Sequence, residues 1–306
     1  MRLNKYYLAA FIAFFIWGFF SLALKPIHNY ASLDILFYRV FFSVVVMLSV
    51  NIFFRKATLR KDWEIYKNMD LAEKKQTIFL TFGGAFFLML NWFIFIYVMN
   101  HVSLKAASLA YLICPILTTV LAFFILKEKI SKSQWTAVLI SVFACSLLSF
   151  NHIRDIFYSL IVAITYALFL ISQRNNNKLD KFLILNIQLL FTAILLLPFY
   201  PKYSGAIPIE PLFYICLGFI VVFFTIIPLF LNLYALKGIN SSTVGIMMYT
   251  NPLINFFLAI FLYKEGISWI QIISYFLILI SIVIFNEKII FSRKKNGVEL
   301  NTVNSK

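Results

Sequence analysis

Long apolar segments, separated by short polar connections, occupy almost the whole of this 306-residue chain. Hydrophobic residues make up 62% of it and charged residues only 13%, whereas an average soluble domain is about half apolar and about a quarter charged. One soluble core cannot bury so much apolar surface, but in lipid the apolar side chains can face outward. The chain is therefore predicted to be an all-α integral membrane protein.

Each apolar segment is long enough to be a span, because about 20 residues of helix cross about 30 Å of hydrocarbon. The segments lack the alternation of barrel strands, so helices are the structure that satisfies their backbone in lipid. We predict ten transmembrane helices, with a retained first helix and no cleaved signal peptide. They cover roughly residues 6–26, 32–54, 77–100, 104–126, 134–152, 154–173, 180–200, 210–236, 241–263 and 268–287.

The distribution of Lys and Arg predicts that both termini are cytoplasmic. With the N-terminus inside, 21 of the 27 basic residues fall in cytoplasmic segments, five fall outside, and Arg39 is left within a span. An excess of basic residues marks cytoplasmic connections. The net charge of +15 is therefore interpreted as a topology signal, and nucleic acid is not expected as a partner.

Motifs for catalysis or for cofactors are not found in the sequence. The three cysteines lie within apolar runs at no metal-ligand spacing, so neither a disulfide framework nor a metal site is expected. No Ser/His/Asp set, paired carboxylate or glycine-rich phosphate loop occurs. We expect neither a cofactor nor an enzymatic activity.

An internal repeat relates the two halves of the chain. Residues 97–134 align without gaps on 234–271, with ten identities in 38 positions. The most specific match is Lys-Glu-x-Ile-Ser-x-x-Gln, which begins at Lys127 and at Lys264 and follows a proline at the same distance. Such a match between distant segments indicates duplication of a structural unit.

The repeat predicts a first five-helix half, residues 1–152, a second half, 153–288, and a basic cytoplasmic tail, 289–306. Arg39 aligns with Gln188 once the longer basic loop at 55–76 is allowed for. Because five is odd, the second half is inverted in the membrane. Inverted repeats are typical of secondary transporters, in which the halves exchange roles around a central site.

Six stretches carry a resemblance to a known family. They are Phe15-Ile-Trp-Gly18, Asp34-Ile-Leu-Phe-Tyr-Arg-Val40, Asn91-Trp-Phe-Ile-Phe-Ile-Tyr-Val-Met-Asn100, Ala107-Ser-Leu-Ala-Tyr-Leu-Ile-Cys-Pro115, Thr225-Ile-Ile-Pro-Leu229 and Ser242-Thr-Val-Gly-Ile-Met-Met-Tyr-Thr-Asn-Pro252. From about residue 6 to 287 the chain resembles the EamA-type drug/metabolite transporters, and among them the RarD-like exporters. It departs from their pattern at Cys114, where Asn is usual, and at Tyr38, where His is usual. The resemblance implies a ten-helix inner-membrane carrier that exports small metabolites or drugs through a central cavity.

Arg39 is the basic residue left within a predicted span. It lies about 10 Å below the outer start of helix 2, at 1.5 Å per residue. A charge at such depth is costly and usually faces a cavity or a partner. One interpretation is an anion anchor for a substrate carboxylate or phosphate; the alternatives are pairing with Asp34 or snorkelling to the outer headgroups.

Pro115 and Pro252 occupy matching places in the two halves. Each removes a backbone hydrogen bond and leaves the carbonyl one turn earlier, at Tyr111 or Met248, without its usual donor. We predict symmetric kinks that line the pathway. The alternative is a packing kink filled by small residues such as Gly245.

The remaining candidate substrate-binding residues are aromatic or amide side chains within spans. They are Trp17, Asn91, Trp92, Tyr111, Tyr166, Gln188, Tyr249 and Asn251. Such amides also serve as ties between helices, and that alternative stays open.

We expect an exporter of small molecules, with amino-acid-like or aromatic substrates favoured, in the inner membrane of a bacterium. Proton coupling and facilitated diffusion are both open, and so is homo-oligomerisation. The competing functions are an intramembrane lipid-modifying enzyme and a channel-like or signalling subunit.

Overall fold

The computed structural model describes residues 5–102, 104–148, 153–262, 264 and 268–287, and their regular secondary structure is helical. In chain order the α-helices are α1 (Lys5–Gly18), α2 (Phe20–Leu24), α3 (Ser32–Phe54), α4 (Lys56–Asn68), α5 (Leu71–His101), α6 (Leu104–Ile125), α7 (Lys132–Leu148), α8 (Ile153–Asn175), α9 (Lys181–Leu196), α10 (Tyr200–Tyr203), α11 (Pro211–Phe219), α12 (Ile227–Ala235), α13 (Ser241–Met247), α14 (Thr250–Phe261) and α15 (Trp269–Phe285).

Six helical segments of the described chain are long and apolar enough to cross a membrane. They are Ser32–Phe54, Leu71–Met99, Ala107–Ile125, Arg154–Asn175, Lys181–Tyr203 and Pro211–Ala235. A seventh is formed if α1 and Phe20–Ile27, bent by 42°, make one span, and α7 and α15 are shorter apolar helices. This confirms a helical, multi-pass membrane protein. The count of ten spans and the cytoplasmic location of both termini remain predictions. The predicted tail, 289–306, lies outside the described residues.

The predicted loop at 55–76 is wrong, because this segment is largely helical. It contains α4, and α5 begins at Leu71 instead of residue 77. The early start is explained by Asp70, whose side chain accepts a hydrogen bond of 2.7 Å from the Glu73 N–H and so caps the helix. α4 is amphipathic, with Trp63 exposed among basic residues. A search for apolar runs does not detect such a helix.

Two predicted helices, 210–236 and 241–263, depart from regular α-helix in the structure: the first is one helical segment with a π-helical stretch inside it, and the second is divided. A π-helical segment, Ile220–Ile226, separates α11 from α12. The second break separates α13 from α14 and lies just before Pro252, which has no N–H to continue the helical hydrogen bonds. Both departures from α-helical geometry are local, so hydropathy did not show them.

Helices from the two halves of the chain pack against each other. α7 packs on α15, α6 on α8 and α13, α5 on α8 and α9, and α1 on α12 and α14. Glycines allow close approach at two of these contacts, since a Cβ on Gly18 would lie 2.7 Å from Ile254 and one on Gly245 would lie 2.9 Å from Thr118. Small residues play the same part in other membrane helix pairs.

After α6 and after α14 the described residues share two local features. Lys127 and Lys264 are the non-glycine residues with positive φ in the described chain, at 53° and 52°. Each lysine is followed by the same reciprocal cap. The Ser131 and Ser268 N–H groups each donate to a glutamine Oε1, of Gln134 and Gln271, at 2.9 Å. At its described residues the shared sequence motif therefore has the same φ at the lysine and the same serine–glutamine cap in both halves.

Asp180 stabilises the start of α9 in two ways. Its carboxylate accepts hydrogen bonds from the N–H groups of Phe182 (3.0 Å) and Leu183 (3.2 Å), and it forms an ion pair of 2.9 Å with Arg55 at the end of α3. Burial raises the pKa of Asp180, but the Arg55 guanidinium and the two N–H groups outweigh it and lower the pKa. The ionised carboxylate therefore joins α3 to α9.

We expect Asp180→Ala to lower the free energy of unfolding by about 1–2 kcal/mol, because a cap and a half-exposed ion pair are both lost. Asp180→Asn should lose less, since an amide oxygen still caps the helix. A lowered folded-state pKa stabilises above the unfolded pKa, so the Asp180 contribution should disappear as the pH falls below about 4. Thermal unfolding of purified protein at several pH values measures this, and equal stability of parent and Asp180→Ala at pH 7 would contradict it.

Candidate functional site

Arg39 lies about two turns into α3 with its guanidinium among aromatic rings. Its Cζ is 4.4 Å from the centre of the Trp92 ring of α5 and 5.6 Å from that of Phe20 of α2. Its Nε is buried without a hydrogen-bond partner. The described residues contain no ion-pair partner for this guanidinium. The contacts are therefore cation–π contacts, which leave the positive charge unneutralised.

Asp34, the proposed partner of Arg39, is engaged elsewhere. Its carboxylate is buried, and its Oδ1 accepts a hydrogen bond of 3.0 Å from the Gly205 N–H. A Cβ on Gly205 would lie 3.0 Å from the other oxygen. Asp34 thus fastens the segment after α10 to the start of α3, and the predicted Asp34–Arg39 pair is not formed.

Tyr111 and Tyr166 extend the site from Arg39 toward α8. Tyr111 is a neighbour of both Arg39 and Tyr166, and Trp92, Tyr111 and Tyr166 pack in one core of side chains. The Tyr166 hydroxyl accepts a hydrogen bond of 2.8 Å from Asn232 of α12. Arg39, Trp92, Tyr111 and Tyr166 therefore form one continuous group of predicted site residues, which we call the Arg39 cluster.

Asn91 and Trp17 mainly tie helices together. The Asn91 amide donates to the Val162 carbonyl (2.9 Å) and the Thr165 hydroxyl (3.2 Å), which joins α5 to α8. Trp17 Nε1 donates to the Phe224 carbonyl at 2.9 Å, within the π-helical segment. Both polar groups have protein partners, as the alternative interpretation of such residues expects.

Gln188 lies apart from the Arg39 cluster. It is buried, its amide donates to the Thr81 carbonyl at 3.4 Å, and a Cβ on Gly84 would lie 2.8 Å from it. On α5, Gly84 and Trp92 are eight residues apart, which is about 12 Å along the helix axis. Arg39 and its aligned partner therefore contact different levels of α5.

Tyr249 and Asn251 sit at the break between α13 and α14. Tyr249 is fully buried, with its hydroxyl beside Ser141 of α7. The Asn251 side-chain oxygen accepts a hydrogen bond of 2.6 Å from Asn255, whose own oxygen lies 3.4 Å from the Ser21 hydroxyl. These amides form a polar strip between α14 and α2, separate from the contacts of Arg39.

The two prolines differ in their effects. Pro115 lies inside a continuous α6, whereas Pro252 accompanies a complete break. The Met248 carbonyl, whose usual donor Pro252 cannot supply, accepts the Asn251 N–H instead, at 3.0 Å in a tighter turn. Gly245 packs against Thr118, and a Cβ added at Gly245 would lie 3.6 Å from the Pro115 carbonyl oxygen. The small-residue packing expected as the alternative is therefore present.

A cavity of about 330 Å³ lies away from all the predicted site residues. It is between the ends of α1, α7, α13 and α15. Its lining includes Tyr7, Lys129, Gln134, Asn240, Thr243 and Glu287. Within the described residues, no group of His, Cys, Asp or Glu is arranged to hold a metal ion.

Two contributors to the site escaped prediction. Phe20 is one of 36 phenylalanines, and nothing in the sequence distinguishes it from the others. Asn232 could have been predicted from the sequence, because an amide within an apolar run usually needs a polar partner. In the structure it is fully buried.

The EamA-like transporter family model matches residues 4–150 and again residues 154–286. An uncharacterized transporter, YojE, of Bacillus subtilis is 29% identical over 265 residues, which is 84% of this chain and 85% of that protein. Protein RarD of Escherichia coli is 26% identical over 300 residues, with 95% and 96% covered.

A solved crystal structure has a TM-score of 0.71 to this chain at 13% identity, with 92% of this chain and 96% of that chain covered. At that identity the likeness shows the fold alone. The family model covers nearly all of the chain and describes transporters, and YojE is named as a transporter. The chain belongs to the EamA-like transporter family, is RarD-like within it, and is a membrane transporter.

Proposed function

We propose that this protein exports small metabolites or drugs by alternating access, and that the Arg39 cluster binds an anionic or zwitterionic group of the substrate. The observation that carries the proposal is the Arg39 guanidinium, 4.4 Å from the Trp92 ring and without an ion-pair partner in the described chain. A charge within a span is costly. A carboxylate or phosphate on a bound substrate would neutralise it.

The surroundings of Arg39 favour aromatic or amino-acid-like substrates. Phe20, Trp92 and Tyr111 offer ring faces and one hydroxyl, and each is half-buried, so part of each surface is accessible. Aromatic rings of a substrate can stack on such faces while its carboxylate contacts the guanidinium. A neutral substrate would bind to the same residues less tightly, because the positive charge of Arg39 would stay uncompensated.

The proposed architecture is ten spans in two inverted five-helix halves, residues 1–152 and 153–288, with cytoplasmic termini in a bacterial inner membrane. The repeated turn at Lys127 and Lys264 and the two matched segments support it. The bias of basic residues supports the orientation, and the bacterial relatives support the location. Inverted halves provide the two equivalent states that alternating access needs.

The energy source is proposed to be either a proton gradient or the substrate gradient itself. Transport assays on proteoliposomes decide between these and test the function. The assay follows uptake of a pooled set of amino acids, nucleosides and aromatic carboxylates, with and without an imposed pH gradient, and uses empty liposomes as the control. We expect saturable uptake of carboxylate-bearing compounds.

Accumulation above equilibrium with the gradient would establish proton coupling, and uptake that only equilibrates would establish facilitated diffusion. Saturable uptake confined to neutral compounds would overturn the role of Arg39. Uptake of no compound, in vesicles where a known carrier works, would contradict the substrate classes proposed.

A further inference from the structure

Glu128, just after α6, binds the start of α13 through both carboxylate oxygens. Oε1 accepts the Ser241 N–H at 2.7 Å, and Oε2 accepts the Ser242 N–H at 3.1 Å and the Ser242 hydroxyl at 2.6 Å. Three hydrogen bonds to one ionised acceptor make a strong local contact. It joins residues more than a hundred positions apart, one in each half of the chain.

The backbone around Glu128 fixes its carboxylate in this position. Lys127 turns the chain with φ of 53°, a conformation that L-residues seldom adopt. The Glu128 N–H then donates to the Ala122 carbonyl at 3.2 Å, which anchors the turn to the last helical residues of α6. The backbone of Glu128 is therefore anchored to α6 independently of the contact that its carboxylate makes with α13.

The Glu128 contact lies at the same end of the α6–α13 crossing as the described cavity. Deeper in the crossing, Gly245 of α13 touches Thr118 of α6 closely. The cavity of about 330 Å³ is lined by Asn240 and Thr243, which flank the two serines that bind Glu128. A movement of the start of α13 away from α6 would therefore change both the Glu128 contact and the shape of the cavity.

We propose that Glu128 is a latch that holds the cytoplasmic end of the transport pathway closed, and that release of Ser241 and Ser242 from its carboxylate accompanies opening to the cytoplasm. This rests on the proposed function and on the orientation predicted from the basic residues. In this structure the latch is engaged. The pathway is therefore closed at that end, with the described cavity as its outer vestibule on the cytoplasmic side.

The natural Cys114 of α6 reports on the opening. It is buried, and its sulfur lies 3.7 Å from the hydroxyl of Thr118, the residue that Gly245 covers. Its rate of modification by a charged, membrane-impermeant methanethiosulfonate is measured in inside-out vesicles, in a Cys145→Ala, Cys216→Ser background. No substrate is needed, so the result stands whether or not a transported compound has been found.

In Glu128→Gln the charge is lost and the three hydrogen bonds weaken, so Cys114 should react about tenfold faster from the cytoplasmic side. Ser242→Ala removes one donor and should give a smaller rise, which serves as a second test if Glu128→Gln is poorly folded. The matched control is Glu64→Gln, an exposed glutamate of α4 on the same predicted side. It should leave the rate unchanged.

Unchanged Cys114 labelling in both variants, with each eluting as intact protein, would overturn the latch. A rise seen only in right-side-out vesicles would overturn its assignment to the cytoplasmic end.

Discussion

Replacing Arg39 by alanine should raise KM for carboxylate or phosphate substrates by roughly 10²-fold to several thousandfold. Removing one partner of a buried charge pair costs about 3–5 kcal/mol, and each 1.4 kcal/mol is about tenfold in affinity. The expectation follows from the isolation of the guanidinium, which contacts Trp92 and Phe20 but no carboxylate in the described chain. Transport of neutral substrates should change far less.

Two further variants test the charge of Arg39 and its aromatic surroundings separately. Arg39→Lys keeps the charge but loses the planar fork, so it should recover only part of the affinity. Trp92→Leu keeps the charge and removes the stacking face, which should cost about 0.5–2 kcal/mol. Concentration series in proteoliposomes, with thermal unfolding as the folding control, measure these effects. Normal KM for an anionic substrate in folded Arg39→Ala would favour snorkelling to the headgroups instead.

Adding one methyl group at Gly18 should lower the free energy of unfolding by roughly 1–3 kcal/mol, the usual range for overpacking. The new Cβ would lie 2.7 Å from both Cβ and Cδ1 of Ile254. The Ile254 Cβ is fixed to the backbone and cannot swing away. The helices α1 and α14 would have to separate, and they belong to different halves of the chain.

Gly83→Ala is the matched control, because a Cβ there meets nothing within 4 Å. It should be neutral or slightly stabilising, since alanine is the better helix former by about 1 kcal/mol. The double variant Gly18→Ala, Ile254→Ala should be less destabilised than the sum of the single variants. Thermal unfolding of the parent and the four variants (Gly18→Ala, Ile254→Ala, their double variant and Gly83→Ala) tests this, and equal midpoints for Gly18→Ala and Gly83→Ala would refute it.

The candidate site was only partly predictable. Arg39, Trp92, Tyr111 and Tyr166 stand out because a charge or polar aromatic group within an apolar run has few inexpensive environments. Their grouping, however, depends on how α3, α5, α6 and α8 pack. The same criterion selected Asn91, whose side-chain NH2 group donates to two groups of α8. Depth in the membrane therefore indicates that a polar group needs a partner, and not whether that partner is protein or substrate.

Helix positions were predicted well where hydropathy decides them and poorly where hydrogen bonds do. α3, predicted at 32–54, is observed at Ser32–Phe54, because both its ends coincide with changes from polar to apolar sequence. α5 begins six residues before its prediction because Asp70 caps a polar first turn. The interruption before Pro252 adopts a tighter turn in which Asn251 satisfies the Met248 carbonyl, a choice made by local geometry.

Sequence by itself determined the helical membrane class and the family, because apolar length and residue order are properties of the chain that need no folding to be evaluated. It also identified the repeated motif that begins at Lys127 and at Lys264, two residues that have nearly the same positive φ. The tertiary structure decided which polar groups meet. It paired Asp34 with Gly205 and left Arg39 against Trp92, since contacts between distant segments depend on helix packing, which a pattern along one chain does not specify.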